Sequence, residues 1–330
     1  MTKCKKTGIF LARARVRAEE NMTVSYGELN GSIIGASLCD AVTRAIWIIR
    51  NMRFTFERSQ KGNKSNGRPD WVTNADIAAQ RMYTKLLHER FPLYGIVGEE
   101  EGLRIECNPP SRNLWFSVDP LDGTNAYNRK QSHGIGTMIA LMHENRVIAA
   151  AVGDVMTGEI YYFRPDSEKI HRLDVVQQCY DQTLRINPKT TLREQYLLLR
   201  DPLGNYSPFA QKLAAPQGED RLFESHEITG GSIGISMARL WKGEVGAALL
   251  RPGKQTPWDM CPVIGISKKL GFEFYSLRAA RAKEGRPAFI PLSTPAAPTT
   301  YETYQDVLVI HESRVPEVRT WCELQGYPFC

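Results

Sequence analysis

At 330 residues the chain is too long for one minimal core and fits one large domain or two that pack tightly. Hydrophobic residues make up 42% and charged residues 24%, ordinary proportions for a soluble globular enzyme. A formal net charge of +6 suits a small anionic substrate and does not by itself indicate nucleic-acid binding.

The seven cysteines are odd in number and widely scattered, and no two form a C-x-x-C. That argues against a disulfide framework or a zinc site and for a reducing compartment, so a cytoplasmic location is expected. No uninterrupted apolar run approaches the roughly 18 residues a membrane helix needs, so no membrane association is expected. Residues 1–25 are expected to be a disordered N-terminal extension. The first twenty carry Lys and Arg but no long apolar region or small-residue cleavage site, and Glu19-Glu20 argues against an organellar presequence.

From Tyr26 to Arg50, residues Ile33, Ile34, Leu38, Ala41, Val42, Ala45, Ile46 and Ile49 recur at helical spacing and predict a long, largely buried helix. Ser59–Asp70 reads as a polar, glycine-containing flexible loop. "TNADIAAQRMYTKLLHERFP" begins with capping residues and stops before Pro92, as a helix should. "YGIVGEEEG" reads as a short strand running into an acidic turn. "LWFSV" reads as a strand that Asp119-Pro120 ends. Gly134–Phe163 reads as a three-strand meander with turns at "HEN" and "TGE". Residues 26–178 are thus expected to form an α+β half with an antiparallel sheet.

Residues 179–330 alternate as an α/β half. "YLLLR", "EVGAALLR", "GFEFYSL" and "DVLVI" are strand candidates. "GSIGISMARLWKG" and "WDMCPVIGISKKLGF" are helix candidates, with a short final helix near "VPEVRTWC". Residues 278–304, basic and then rich in proline and threonine, read as a surface loop insertion. The basic segment Arg278–Arg286 reads as a solvated loop.

The chemistry concentrates in "WFSVDPLDGTNAY". A strand ending at Val118 delivers Asp119 to the sheet edge, and Pro120 fixes φ and bars further pairing. The turn then swings Asp122 so that both carboxylates face one point, with the Leu121 carbonyl between them. Gly123 permits close backbone approach to a ligand, and Thr124 adds a hydroxyl at a helix start. Such a donor set suits a hard divalent cation beside a phosphate. Further carboxylates stand at Asp76 and Asp259, each at a helix start, and in "GEEEG". The bland reading of Asp76 and Asp259 is complementation of the helix dipole.

Taken together, "WVTNAD", "GIVGEEEG", "WFSVDPLDGTNAY", "GGSIGISMARLWKGEVGAAL" and "PWDMCP" resemble the inositol monophosphatase family of Mg2+-dependent, lithium-sensitive phosphatases. Its superfamily includes fructose-1,6-bisphosphatases and 3'(2'),5'-bisphosphate nucleotidases. The likeness runs from about Leu29 to Gly271. It implies a layered αβαβα sandwich, two or three Mg2+ ions and a small phosphorylated substrate; homodimers are frequent in that family. It also implies that Glu99, Asp119 and the Leu121 carbonyl bind one metal. Asp119 would bridge to a second, which Asp122 and Asp259 complete, and Glu99 with Asp76 would hold a weaker third. Asp76, Glu99 and Thr124 would position the attacking water, and Gly123 and Thr124 would offer N–H groups to the phosphate. Gly231 and Ser232 stand at the family's substrate-contacting helix start, where an N-cap is the alternative.

The sequence departs from that family where a glutamate usually precedes the Trp-Asp pair. Here "LLRPGKQTPWD" places Pro252 there, or Arg251 after a one-residue shift. Arg251 and Lys254 suggest a substrate with a negative charge besides the scissile phosphate. The expectation is therefore a Mg2+-dependent phosphomonoesterase acting on an inositol, sugar or related phosphate. The alternatives are a bisphosphate nucleotidase and, with less support, a non-catalytic nucleic-acid-binding protein. Asp154 reads as structural, and His133 and His143 as ordinary residues.

Overall fold

The computed structural model describes residues 29–63, 67, 69–176, 182–187, 189–215, 218, 221–278, 288–292, 298–325 and 327. The expected extension 1–25 and most of the basic segment Arg278–Arg286 lie outside the described residues.

Helix α1 (Gly31–Met52) buries Ile34, Leu38, Ala41, Val42, Ala45, Ile46 and Ile49 on one face, as their spacing predicts. The stretch expected to be a flexible loop instead belongs to a hairpin, in which β1 (Arg58–Asn63) pairs antiparallel with β2 (Pro69–Thr73). Every residue of β1 is exposed, so no buried alternation marks the strand in the sequence. Helix α2 (Asn74–Arg90) begins at a capping box formed by Thr73 and Asp76. Strand β3 (Gly95–Gly98) leads into the acidic turn, and β4 (Arg104–Ile105) follows it.

Strand β5 (Leu114–Asp122) does not end at Val118 as expected. It continues past Pro120 with a register shift between Asp119 and Asp122 against β6 (Gly136–His143). The bulge absorbs a residue that has no N–H to donate and re-aims the side chains on either side of it. After the short α3 (Thr124–Asn128), β6, β7 (Arg146–Asp154) and β8 (Glu159–Phe163) form the expected meander, extended by β9 (His171–Asp174) and β10 (Gln182–Thr183). The sheet order is β10-β9-β8-β7-β6-β5-β3-β4, antiparallel except for the parallel pair β3 and β5.

The second half supplies β11 (Tyr196–Leu199), α4 (Pro208–Ala214), β12 (Ser225–Ile228), α5 (Ile233–Trp241), β13 (Ala247–Leu250), β14 (Gly253–Gln255) and α6 (Pro257–Lys269). It continues with β15 (Phe272–Arg278), β16 (Ala288–Pro291), β17 (Tyr301–Thr303), β18 (Val307–His311) and α7 (Val315–Leu324). Six of these strands form a second sheet in the order β12-β11-β13-β18-β15-β16. Strands β11, β12 and β13 run parallel and in register, so Arg200, Thr229 and Arg251 leave their C-terminal ends side by side. Where residues 278–304 are described, they are more than a loop insertion. Strand β16 pairs with β15 and buries Phe289 completely, and β17 pairs with β14. Their proline- and threonine-rich composition hides that pairing from a reading of the sequence.

The layering follows from which faces are apolar. Helices α1 and α2 pack together and against β5–β7. On the opposite face, Met138, Ala140, Ala150, Val152, Tyr161 and Phe163 share a core with Ile233, Met237 and Trp241 of α5 and with Met260 and Val263 of α6. That core continues into Leu198, Ala248, Phe274 and Val309 of the second sheet. The alternate residues Leu197, Leu199, Ala247, Leu249, Leu308 and Ile310 face α4 and α7. The result is the expected αβαβα sandwich.

Helix α1 spans 22 residues and is apolar enough on average to cross a membrane, which a search for uninterrupted apolar runs overlooks. Its Val42 and Ile46 are fully buried, however, and they pack on β7 as in a core helix. A Cβ added at Gly153 of β7 would lie 2.4 Å from Val42 Cγ1 and 3.0 Å from Ile46 Cδ1. Gly153→Ala should therefore destabilise the chain by about 1–3 kcal/mol through overpacking. Denaturant unfolding checks this; an unchanged midpoint would mean that α1 is not seated tightly on β7.

Candidate active site

The bulge in β5 aims Asp119 and Asp122 at the same point as Asp259, which α6 carries in its first turn. Carboxylate oxygens of these three residues lie within 4.8 Å of one another. Asp119 is 1% exposed, and its Oδ1 has no hydrogen-bond partner. Asp122 Oδ2 accepts from the Ser232 hydroxyl at 2.5 Å and from the Gly234 N–H at 2.9 Å. The Thr256 hydroxyl donates to Asp259 Oδ2 from the N-cap position of α6.

A second group of acids adjoins this one. Asp76 is fully buried; its Oδ2 accepts from the Thr73 N–H at 2.9 Å and the Thr73 hydroxyl at 2.5 Å. Its Oδ1 faces Thr124, whose hydroxyl lies 3.3 Å away and also 3.3 Å from the Leu121 carbonyl. The Glu99 N–H donates to the Val118 carbonyl at 3.2 Å, tying the acidic turn to β5. Lys61 of the exposed hairpin reaches in to Glu99 Oε1 at 3.0 Å and Glu100 Oε1 at 2.7 Å. Gln80 clamps the Glu100 backbone from both sides, donating to its carbonyl at 2.7 Å and accepting from its N–H at 2.9 Å.

The remaining wall is glycine-rich. Gly123 has φ 95° and caps α3. A Cβ there would meet the Gly134 carbonyl oxygen at 2.3 Å, as would one on Gly231 (φ 86°), so neither position tolerates a side chain. Both donors of Ser232 are engaged within the protein: its N–H donates to the Gly134 carbonyl at 2.9 Å and its hydroxyl to Asp122. The same Oγ accepts from the Ile235 N–H at 3.0 Å, so Ser232 is an N-cap that also holds a carboxylate.

Arg251, expected to contact substrate, pairs with Asp201 at 3.1 Å. The structure instead draws attention to Arg200, at the end of the neighbouring strand. Its Nη2 donates to the Gly231 carbonyl at 2.5 Å, its Nε is buried without a partner, and its charge acts on Asp122. Sequence reasoning passed over Arg200, Lys61, Gln80 and Thr256. Only Thr256 had a local signal, lying three residues before Asp259 at a helix start. Asp154, read as structural, accepts from the Met156 and Thr157 N–H groups in the β7–β8 turn.

Burial and mutual repulsion push these acids up. Asp76 rises to about 6, chiefly through burial, opposed by the Thr73 hydrogen bonds and reinforced by Glu99. Glu100 rises to about 7, again through burial first and then through Glu99. Burial and the charges of Glu99, Asp122, Asp259 and Asp76 hold Asp119 well above the carboxylate range. Asp122 is raised by burial despite Arg200 and its hydrogen bonds. A folded pKa above the unfolded one means that the folded state retains protons the unfolded chain has released. Metal-free stability should therefore fall as pH rises from about 4 through about 7. In chelator at pH 7.5, Asp119→Asn should melt on the order of 3 °C or more above wild type, with the gap narrowing as the pH falls toward about 4. Equal melting at pH 7.5 would show that the Asp119 charge carries no strain.

Comparison with known proteins bears on the whole chain. The sequence profile of the inositol monophosphatase family matches residues 34–306. Over 86 residues the chain is 41% identical to inositol-1-monophosphatase of Caulobacter vibrioides, covering 26% of this chain and 32% of that protein. Over 211 residues it is 24% identical to histidinol-phosphatase of Chlorobaculum parvum, covering 61% and 70%. The chain spans about a third of the length of the first curated relatives it matches. The solved structure of extragenic suppressor protein suhB from Bartonella henselae aligns with a TM-score of 0.62 at 15% identity, covering 88% of this chain and 98% of that one. That likeness is one of fold, and it accords with the layered sandwich described above. With Asp119, Asp122 and Asp259 gathered as their motifs require and the family profile matching most of its length, the chain belongs to the inositol monophosphatase family.

Proposed function

We propose that the chain is a Mg2+-dependent phosphomonoesterase that hydrolyses a small inositol, sugar or related phosphate with an activated water. The observation that carries this reading is the convergence of Asp119, Asp122 and Asp259 within 4.8 Å, with an unpartnered buried oxygen on Asp119. That all-oxygen, multiply anionic donor set fits a hard divalent cation. Asp119, Asp122, Asp259, Glu99 and the Leu121 carbonyl would hold Mg2+. Bound there, it supplies charge neutralisation for the phosphate and a lowered pKa for a coordinated water.

The chain's own groups then have distinct tasks. The Thr124 hydroxyl, turned toward Asp76 Oδ1, would take a proton from the water as it gives its own to Asp76. Asp76, which burial raises to about 6 in the metal-free chain, would take up the proton that the hydroxyl gives. The Gly123 and Thr124 amides would meet the phosphate oxygens, and the missing side chain at Gly123 lets the Gly134 and Ser232 backbone close in beside them. Ser232 holds Asp122 in place and so positions a ligand rather than the substrate. Among the described residues the free thiols of Cys107, Cys261 and Cys322 support a reducing, cytoplasmic setting.

A second reading, a substrate with a further negative charge such as a bisphosphate, draws on Arg200. Its buried Nε–H lacks a partner and lies beside the Gly231 loop, whereas Arg251 is neutralised by Asp201.

Phosphate release from inositol phosphates, fructose bisphosphate, phosphoadenosine phosphate and histidinol phosphate, with and without Mg2+, tests the main reading. At least one ester should be hydrolysed only when Mg2+ is present, and Asp259→Asn should lower kcat by roughly 100-fold or more. No release from any ester would overturn it. For the second reading, Arg200→Gln should raise KM for a bisphosphate by about tenfold more than for a monophosphate. Equal changes would dismiss the second charge.

A further inference from the structure

The exposed hairpin raises a question of its own: why does it send a lysine into the acidic cluster? Every residue of β1 is exposed as a whole, yet the Lys61 side chain is only 24% exposed. Its ammonium group contacts Glu99 Oε1 at 3.0 Å and Glu100 Oε1 at 2.7 Å. The Glu100 side chain is 2% exposed, and Gln80 fixes its backbone through both the N–H and the carbonyl. Glu100 therefore cannot retreat to water, and without Lys61 it would be a buried charge lacking this counterion.

We propose that Lys61 is a tethered cation filling the Glu99–Glu100 side of the cluster, so that the chain holds two divalent ions and admits another there only by displacing the ammonium group. The inference rests on the metal-dependent reading given above and deepens it. The ammonium group and a third divalent ion would compete for Glu99 Oε1, whereas the ion that Glu99 helps to hold with Asp119 would meet its other oxygen. Like charges held that close repel strongly at the effective dielectric of a protein surface. The two occupants thus exclude one another. The lysine has an entropic advantage because its stem is already part of the hairpin, while the ion must be drawn from solution and partly dehydrated. Its lysine character matters as well: a compact charge on a flexible stem fits between two carboxylates without demanding planar, bidentate geometry.

Mn2+ binding to the full chain by titration calorimetry, compared among wild type, Lys61→Met and Lys61→Arg, tests the proposal. Wild type and Lys61→Arg should bind about two ions, and Lys61→Met should bind an additional ion at least roughly tenfold more tightly than wild type does. Without metal, Lys61→Met should melt below wild type because Glu100 loses this counterion, and Mn2+ should raise its melting point by more than it raises that of wild type. Three tight ions in wild type, or identical stoichiometry and affinity in wild type and Lys61→Met, would overturn the role of Lys61 while leaving a metal-dependent enzyme intact. No Mn2+ binding by wild type would overturn the metal-dependent reading itself, and the tethered cation with it. If Lys61→Met does not fold, the wild-type ion count still decides the matter.

Discussion

The rest of the structure depends on one costly arrangement, the burial of Asp76, Asp119 and Asp122 beside Glu99, Glu100 and Asp259. Two unit charges 4 Å apart repel by about 4 kcal/mol at an effective dielectric near 20. Left to themselves, these side chains would turn to water. They do not because each stands where the backbone leaves little choice. Asp119 and Asp122 flank a bulge, Glu99 follows a strand, and Asp76 and Asp259 occupy the first turns of helices. The partial positive charge of each helix start and the donors Thr73, Ser232 and Thr256 offset part of the repulsion. They do not offset all of it, since Asp76, Asp119 and Asp122 remain harder to ionise than ordinary aspartates. The scaffold therefore holds an unmet demand for positive charge.

Such a demand can be maintained only by a stiff support, and the middle layer provides one. Helices α5 and α6 share a single apolar core with both sheets, and the Trp241 indole N–H donates to Ser267 at 2.9 Å, joining the two helices directly. Asp259 rides on one of these helices, and Ser232, which holds Asp122, caps the other. Behind Asp119, the Tyr83 hydroxyl meets Thr137 at 2.8 Å, and Thr137 donates to the Asp119 carbonyl at 3.4 Å. Packing energy spread over many buried side chains thus fixes the few polar ones in place. That is how a layered sandwich, which is a common architecture, becomes a specific site.

How much of this was legible in the sequence differs by element. The meander β6–β8 and helices α1 and α5 carry hydrophobic patterning, whereas α2 is marked by its capping residues and Pro92 and α6 by an apolar run closed at Gly271. The aspartates were legible for another reason: Pro120 and Gly123 constrain the backbone so strongly that the spacing of Asp119 and Asp122 suggests convergence. Hairpin β1–β2 was missed because its first strand buries nothing, and β16 and β17 because proline and threonine mask their pairing. Side-chain partners were least legible of all. Lys61 lies 38 residues from Glu99, Arg200 lies 31 from Gly231, and Ser232 lies 110 from Asp122. No local pattern encodes such pairs, because only the closed fold brings them together.

The contrast between Arg200 and Arg251 shows what this means for reading charge. The two arginines leave the ends of adjacent parallel strands, and by residue type they are equivalent. Arg251 meets Asp201, and the exposed pair presents little net charge. Arg200 points its guanidinium at the Gly231 carbonyl, keeps one N–H unpartnered and acts on Asp122. A formal charge of +6 spread over the chain says nothing about this difference. What matters is whether a cation faces another protein charge or stands beside an unmet one. By that criterion Arg200 keeps beside Asp122 a charge that Arg251 spends on Asp201, while Lys61 is committed to Glu99 and Glu100.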